Sequence, residues 1–156
     1  MLLVPPQYEF LGTSACQARA TEMSAIFHRC FCRSPGEQWP VERFESFLAY
    51  GHAMAIATTD SIYSTCCYMT GGDSAEVISM ATDPLYQHKG YATVLLRHLC
   101  AVWRTQGIRT AVLVVRQSNQ VAQYVYRKCG FIPGASVHGA YTGTLAENGI
   151  KMKCLL

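Results

Sequence analysis

A six-residue loop that opens a predicted helix has the composition of an anion-binding turn. The loop spans Gln87 to Ala92 and reads QHKGYA. The first N–H groups of a helix have no partner inside it and lie at the positive end of its dipole, so the backbone of residues 88–93 can bind a pyrophosphate. Gly90 allows a tight turn, Ala92 is small, and His88 and Lys89 add positive charge. An ordinary glycine at a helix start explains this spacing about as well.

A second segment, from Asn119 to Phe131, could supply a proton donor. Tyr126 carries a phenol, and a phenol within hydrogen-bond reach of a leaving group accelerates a reaction by typically about 10²–10⁴. Tyr126 also shares an apolar helical stripe with Ala122 and Cys129, so it is either an acid or a core residue. Asn119 is likewise either a helix cap or a ligand contact.

Four helices are predicted from the spacing of apolar residues and from the residues that begin or end each pattern. Hydroxyl residues open the first helix, Pro40 suits the first position of the second, and glycines follow the two helices nearest the loop. These helices cover residues 13–31, 40–50, 90–106 and 119–128.

Strands are predicted between these helices. Three β-prone runs separated by tight turns indicate an antiparallel meander, a continuous apolar run indicates a buried strand, and the last two runs indicate a closing hairpin. In chain order the runs are residues 53–58, 62–69, 75–82, 110–115, 132–141 and 150–156.

The composition indicates one globular domain over residues 1–156. The chain has 156 residues, 50% of them hydrophobic, and a formal net charge of +3 without long charged blocks. We therefore expect a solvated, slightly basic surface and no direct nucleic-acid binding. No apolar run is long enough to span a membrane, so no membrane partner is expected.

The eight cysteines do not form a metal-binding pattern. No C-x-x-C pair occurs, and neighbours such as Cys66 and Cys67 point to opposite faces of a strand. The opening residues 1–6 lack the charged start and apolar run of a signal peptide, which favours a reducing cytoplasm. We interpret the cysteines as small buried hydrophobic residues and expect no metal.

The loop and the second segment together resemble the two signatures of the GNAT acetyltransferase superfamily. The loop resembles its Q/R-x-x-G-x-G/A pattern, and residues 119–131 resemble N-x-x-A-x-x-x-Y-x-x-x-G-F with every spacing kept. The resemblance covers about residues 75–132. It implies a mixed α/β fold with a mostly antiparallel sheet of about seven strands, splayed between the fourth and fifth strands and flanked by about four helices. A Rossmann fold is excluded, since no acidic residue follows at the expected place.

The resemblance also implies acetyl-CoA as cofactor, direct attack by an amine, and Tyr126 as the acid facing the departing sulfur. On this basis the fourth strand holds the acetyl and pantetheine arm, and the loop and Asn119 bind the rest of the cofactor. The implied cofactor-binding residues are Met80, Ala81, Thr82, Gln87, His88, Lys89, Gly90, Tyr91, Ala92, Thr93, Asn119 and Tyr126.

Within the superfamily the chain resembles the RimI-type ribosomal-protein alanine N-acetyltransferases, which implies a protein N-terminus as the acceptor. That pattern carries L-E-V-R on the fifth strand, with the glutamate as candidate base, whereas this chain has Val114 at the glutamate position. A terminal α-amine, with a pKa of about 7.7–8.0, is partly neutral at physiological pH and can manage with a weak or relayed base. Glu76, acting through water, is the first candidate base and His138 the second, although Glu76 is equally explained as an edge-strand charge.

The substrate-side candidates are Trp39, His138 and Tyr141. Tyr141 matches one of two paired tyrosines in the RimI-type tail, and is otherwise an aromatic residue in the last hairpin. Trp39 and the turn at residues 33–38 would form one lip of a peptide groove, although simple packing of Trp39 is favoured.

Two other functions remain open. A small-molecule acetyltransferase acting on a polyamine, an aminoglycoside or an amino acid would use the same loop, but the substrate-side segments contain no acidic cluster for a polycation. A non-catalytic CoA-binding module would explain the absence of a glutamate at Val114, whereas Tyr126 counts against it. A monomer and a dimer are both compatible with the sequence.

Overall fold

A computed structural model describes residues 7–156 as seven strands, five α-helices and three 3₁₀ turns. The opening residues 1–6, which carried the expectation of no signal peptide, lie outside this part. The strands are β1 (Glu9–Leu11), β2 (His52–Ala57), β3 (Ile62–Gly71), β4 (Ser74–Thr82), β5 (Thr110–Arg116), β6 (Ile132–Tyr141) and β7 (Glu147–Leu155). The helices are α1 (Thr13–Ala18), α2 (Ala20–Cys30), α3 (Val41–Leu48), α4 (Tyr91–Thr105) and α5 (Gln120–Lys128), and the 3₁₀ turns are Pro35–Glu37, Pro84–Tyr86 and Gly143–Leu145.

The strands form one mixed sheet in the order β1-β2-β3-β4-β5-β7-β6. Every neighbouring pair is antiparallel except β4 and β5, which are parallel. A parallel pair needs a long crossover connection, and α4 supplies it. The predicted meander, closing hairpin and mostly antiparallel sheet are confirmed.

Strands β4 and β5 pair only over their first residues and then separate. The parallel register runs from Ser74 opposite Thr110 to Val77 opposite Leu113 and ends there. At the same place the β3 ladder skips Ile78, because Cys67 pairs with Ser79 and Tyr68 with Val77. Such a bulge bends and twists a strand locally. From residue 78 onward β4 therefore has no pairing with β5, and the expected splay is confirmed.

Two hydrophobic cores hold the helices against opposite faces of the sheet. One contains Leu95, Leu99 and Trp103 of α4, and the other contains side chains of α1, α2 and α3. Cys66 belongs to the first core and Cys67 to the second, as the alternation of a strand requires. Because both faces are covered, the position of the β4–β5 opening is fixed by packing on each side.

The first predicted helix is divided into α1 and α2 at Arg19. The Arg19 N–H donates to the Cys16 carbonyl, which tightens the last turn of α1, and its φ and ψ of −113° and 27° are not helical. The Arg19 guanidinium bonds the Thr58 carbonyl at 2.9 Å and forms an ion pair with Glu22. The helix count is therefore five, and the three-residue strand β1 is a further element absent from the prediction.

The cysteines only partly follow the prediction of buried hydrophobic residues. All eight are free thiols, five of them are buried, and Cys30 and Cys129 are half-buried. Cys32 is exposed in the turn after α2, which corrects the prediction at that position. No group of His, Cys, Asp or Glu within residues 7–156 is arranged to hold a metal ion, and no helix there is long and apolar enough to cross a membrane.

Strands β5 and β7 approach closely at Gly149, which explains a glycine in the middle of this hairpin strand. A Cβ on Gly149 would lie 2.5 Å from Val114 Cγ1 and 3.0 Å from Ala140 Cβ. Valine is stiff at χ1, so Val114 cannot rotate away freely. Val114 thus fills the space over Gly149 at the position where the RimI-type pattern has glutamate.

We predict that Gly149→Ala lowers the free energy of unfolding by about 1–3 kcal/mol through overpacking against Val114. The double variant Val114→Ala with Gly149→Ala removes the clashing methyl group and should lose less than the sum of the two single variants. Urea denaturation of the three variants measures this coupling. Strictly additive losses would show that the two side chains do not compete for one space.

Candidate functional site

A cleft of about 610 Å³ opens where β4 and β5 separate. Its walls come from the end of β4, the loop before α4, the first turn of α4, helix α5 and the end of α2. The lining contains every predicted cofactor residue except Lys89, namely Met80, Ala81, Thr82, Gln87, His88, Gly90, Tyr91, Ala92, Thr93, Asn119 and Tyr126. The structure therefore brings the two sequence signatures to one cleft.

The N-terminus of α4 presents unpaired N–H groups to this cleft. Gly90 is the N-cap, with a φ of 87°, and it provides no side chain to cap the helix. Across residues 7–156 no main-chain or side-chain acceptor is bonded to the N–H groups of positions 87–93, and the first turn of α4 carries no acidic residue. His88 also has a positive φ, of 62°. Unpaired N–H groups at the positive end of a helix dipole suit a phosphate ligand.

The loop is anchored at its beginning by contacts with α2. The Thr82 carbonyl accepts hydrogen bonds from Gln87 Nε2 at 3.0 Å and from the Cys30 thiol at 3.1 Å. Asp83 is buried, forms an ion pair with Arg29 and accepts a hydrogen bond from the Leu85 N–H. Gln87 thus contributes to the shape of the loop as well as to the cleft wall.

Tyr126 lies half-buried in the cleft, against the first core and near Phe131. Its hydroxyl makes no hydrogen bond to other side chains or backbone in the described part of the chain. Burial, followed by the nearby Cys66 and Tyr141, raises the pKa of Tyr126 above its ordinary value. The phenol therefore keeps its proton at physiological pH and is free to donate it into the cleft.

Asn119 caps helix α5, and it also borders the cleft. Its side-chain oxygen accepts a hydrogen bond from the Ala122 N–H at 3.1 Å. The cap alternative is therefore established by geometry, whereas a contact between Asn119 and a cofactor stays a prediction. Because α5 is capped by its own side chain, α4 is the better anion site of the two helix ends.

Lys89 and Glu76 do not border the cleft. Lys89 extends over the Tyr86 ring, 5.7 Å from its centroid. Glu76 is exposed in the paired part of β4, opposite Val112 and Met69. It lies four residues before Met80, about 13 Å along the strand. This placement favours the alternative of an edge-strand charge, and a role of Glu76 as a base stays a prediction.

His138 and Trp39 also lie away from the cleft. His138 is exposed on β6, in a stretch where the register with β7 is irregular. Trp39 is buried in the second core, with its ring 5.0 Å from Phe44 and Arg43 stacked on it. The structure supports the packing alternative for Trp39. We therefore propose neither Trp39 nor His138 as a substrate contact.

Tyr141 lies beside the splayed part of β5. Its hydroxyl donates to the Val114 carbonyl at 3.3 Å, and the Arg116 guanidinium stacks on its ring at 4.1 Å. Burial and the nearby Glu37 carboxylate raise the pKa of Tyr141, and Arg116 opposes this effect. Tyr141, Val114, Arg116 and Glu37 define what we call the acceptor-side cluster.

Several cleft residues are absent from the sequence prediction. Cys30 and Phe31 reach the cleft from the end of α2, and Tyr86 reaches it from the 3₁₀ turn before the loop. On α5, Val121 and Tyr124 are large apolar residues that are 65% and 61% exposed. Their position outside the apolar stripe of the helix is a sequence signal that could have identified them.

Comparison with known proteins gives one family and a consistent set of relatives. The profile of the acetyltransferase (GNAT) family matches residues 20–131. A [ribosomal protein bS18]-alanine N-acetyltransferase of Haemophilus ducreyi is 40% identical over 72 residues, which is 46% of this chain and 50% of that protein. The chain thus spans about half the length of this curated relative.

Solved structures share the fold over nearly the whole chain. The ribosomal-protein-S18-alanine N-acetyltransferase of Escherichia coli superposes with a TM-score of 0.82 at 22% identity, covering 96% of this chain and 94% of that one. A Salmonella typhimurium protein solved with its cofactor acetyl-CoA gives a TM-score of 0.78 at 14% identity, over 96% and 94%.

A splayed mixed sheet with an uncapped helix at its opening defines an acyl-CoA type of site. Since the family profile covers well over half of the residues, this chain belongs to the acetyltransferase (GNAT) family.

We predict that Gly90→Leu weakens CoA binding at least about tenfold. The new side chain enters the space in front of the N–H groups of positions 88–93, which we call the phosphate cradle, and it strains a left-handed backbone. No atom lies within 4 Å of the added Cβ, so the fold should persist with a modest stability loss. Calorimetric titration with CoA measures the effect.

Gly107→Leu is the matched control, since Gly107 also has a positive φ and open space but follows the other end of α4. It should lose similar stability and keep its CoA affinity. Unchanged CoA affinity in Gly90→Leu would refute the phosphate-cradle assignment.

Proposed function

We propose that this chain transfers the acetyl group of acetyl-CoA to the N-terminal α-amine of a protein, such as a ribosomal protein. The observation that carries the proposal is the convergence of an uncapped α4 N-terminus and a protonated Tyr126 on the opening between β4 and β5. The first suits a phosphate-containing cofactor, and the second suits a leaving group that needs a proton.

The cofactor of the family is acetyl-CoA, which supplies the acetyl group as an activated thioester. In this chain the N–H groups of positions 88–93 would hold the phosphates, while the part of β4 from Ile78 to Thr82, which has no β5 partner, would offer backbone groups to an extended arm. Ala92 and Gly90 keep the loop free of bulky side chains.

Tyr126 is proposed as the general acid. Its phenol lies in the cleft, makes no competing hydrogen bond in the described part of the chain, and has a raised pKa. A proton held at the phenol oxygen can stabilise a departing thiolate as it forms. Cys66 and Tyr141, which contribute to the raised pKa, lie close enough to keep the phenolate form unfavourable.

The acceptor requires little help from a base if it is an α-amine. With a pKa of about 7.7–8.0, a substantial fraction of such amines is neutral near pH 7.5, whereas a lysine amine with a pKa near 10.4 is almost entirely charged. Val114 offers no carboxylate, and Glu76 lies about 13 Å along the strand from Met80. An acceptor of low pKa is therefore the one that suits this cleft.

The relatives support the same acceptor. The Haemophilus ducreyi and Escherichia coli proteins are named for acetylation of an alanine of ribosomal protein S18. In the acceptor-side cluster, Arg116 forms ion pairs with Glu37 and also with Glu147. Two carboxylates around one guanidinium leave a net negative charge that attracts the ammonium form of an amine.

A panel of acceptors tests the proposal. The chain is incubated with labelled acetyl-CoA and peptides beginning with Ala, Ser or Met, with the same peptides blocked at the α-amine but carrying lysine, and with polyamines. We expect transfer to free N-termini, with kcat/KM highest for Ala, and little transfer to blocked lysine peptides.

Each other outcome identifies a different function. Preferential transfer to polyamines or other small amines would replace the protein acceptor by a small molecule. CoA binding without transfer to any acceptor would support a non-catalytic module and refute the proposal.

For Tyr126→Phe we predict a fall in kcat of about 10²–10⁴, the range typical for loss of a general acid. The ring and its packing remain, so CoA affinity should change little. Steady-state kinetics and CoA titration measure the two effects, and Tyr50→Phe, an exposed tyrosine elsewhere, is the control. Equal kcat in Tyr126→Phe and the unaltered chain would refute the acid assignment.

The pH profile of the unaltered chain gives a second check on Tyr126. Because its pKa is raised, the Tyr126 phenol stays protonated at pH values near the ordinary phenol pKa. No loss of rate is therefore expected as the pH rises to about 10. The rate should instead rise as the acceptor amine loses its proton near pH 8 and then level off. A fall in rate between pH 8 and 10 that disappears in Tyr126→Phe would contradict the raised pKa.

A further inference from the structure

Arg116 makes more polar contacts than any role in strand β5 requires. Its guanidinium forms two hydrogen bonds to Glu37 Oε2, at 2.9 and 3.2 Å, and a third to the Leu145 carbonyl at 2.6 Å. Arg116 Nη1 also lies 3.7 Å from Glu147 Oε2, and Arg116 Cζ lies 4.1 Å from the centroid of the Tyr141 ring. Its side chain is only 15% exposed. A planar guanidinium can serve this many partners at once, whereas an ammonium group cannot.

The partners of Arg116 come from two segments that are distant in sequence, the Pro35–Glu37 turn and the end of β6 with the turn that follows it. Glu37 ends the Pro35–Glu37 turn, which follows Phe31 of the cleft wall, and Gln38 Nε2 donates back to the Phe31 carbonyl at 3.0 Å. Tyr141 is the last residue of β6, and Leu145 belongs to the connection between β6 and β7. Arg116 itself is the last residue of β5, beyond the point where pairing with β4 ends. We call the set of contacts between Arg116 and these two segments the bridge. It lies beyond the point where β4 and β5 separate.

The bridge also fixes the position of the Tyr141 hydroxyl. Arg116 stacks on the ring while the hydroxyl donates to the carbonyl of Val114, the first residue of β5 beyond its pairing with β4. Tyr141 is close enough to Tyr126 to contribute to the raised pKa of that phenol. The Arg116 contacts are thus linked to Tyr126 through Tyr141.

We propose that Arg116 is a positioning residue for the acceptor, holding together the 35–37 turn, which follows the cleft residue Phe31, and Tyr141 with the 143–145 turn. This inference rests on the proposed function, because it assigns a part of the same cleft to the amine-bearing substrate. Arg116 contacts neither the loop of positions 87–93 nor helix α4 through any polar bond in the described residues. Its role is therefore separate from cofactor binding.

The test uses Arg116→Lys and Glu37→Gln in the full chain. Both variants keep a side chain of similar size. Arg116→Lys loses the guanidinium that forms the paired hydrogen bonds, and Glu37→Gln keeps an acceptor oxygen but loses the charge that strengthens them. We expect the KM for an Ala-terminated peptide to rise at least about tenfold, as loss of charge-assisted hydrogen bonds implies, while the KM for acetyl-CoA changes less than about twofold. The double variant should be little worse than either single one, since both remove the same bridge.

Arg19→Lys is the matched control. Arg19 also joins a glutamate and a main-chain carbonyl, Glu22 and Thr58, but its polar contacts involve neither the 35–37 turn nor the 143–145 turn. This variant should lose thermal stability without a change in the peptide KM. If all three variants shift the peptide KM equally, the effect of Arg116 is general destabilisation and the proposal is overturned.

Amide hydrogen exchange measures the bridge without any activity. Arg116→Lys should speed exchange in both segments that it joins, around residues 35–38 and 143–146, and Arg19→Lys should not. An active unaltered chain whose peptide KM is unchanged by Arg116→Lys refutes the positioning role alone. An unaltered chain that acetylates no peptide refutes the proposed function, and unchanged exchange in either segment refutes the bridge.

Discussion

The early end of pairing between β4 and β5 is the constraint on which the rest of this structure depends. Four register pairs, from Ser74 with Thr110 to Val77 with Leu113, hold the strands together, and the bulge at Ile78 then turns β4 away. A sheet that separates in its middle exposes backbone groups that must find other partners. In β4 the Thr82 carbonyl finds them in Gln87 and Cys30, and in β5 the Val114 carbonyl finds one in Tyr141. The two edges of the opening are thus stabilised by side chains from elements that also form the cleft walls.

Two helices begin at this opening, and their first residues determine what each helix can offer to a ligand. Helix α5 begins after Asn119, whose side-chain oxygen accepts a hydrogen bond from one of the first N–H groups, that of Ala122. Helix α4 begins after Gly90, which has no side chain and adopts a left-handed φ that other residues rarely adopt. The dipole and the free N–H groups of α4 are therefore available to an anion, whereas α5 contributes its side chains, Tyr126 among them. One glycine and one asparagine account for this difference.

Local patterns in the sequence predicted the parts of this fold that depend on local interactions. The stripe of leucines in α4 and the alternation of the meander predicted their elements to within a few residues, and the two family signatures predicted which segments would meet at the cleft. Contacts between distant residues were not predictable in this way. The break at Arg19 depends on Thr58, 39 positions away, and the placement of Glu37 depends on Arg116, 79 positions away. The place of Glu76 in the part of β4 that pairs with β5 was likewise not predictable, because sequence position alone does not tell where that pairing ends.

The replacement of glutamate by Val114 has consequences for packing as well as for chemistry. Val114 packs where a Cβ on Gly149 would lie, so the hairpin strand β7 runs closer to β5 than a larger residue at 149 would allow. This close approach brings Ala140 and Tyr141 of the neighbouring strand over the end of β5, where Arg116 stacks on the tyrosine ring. The chain thus has an apolar side chain and a fixed phenol where the related pattern has a carboxylate. An amine that is already partly neutral, such as a protein N-terminus, needs position more than it needs a base, and this arrangement supplies position.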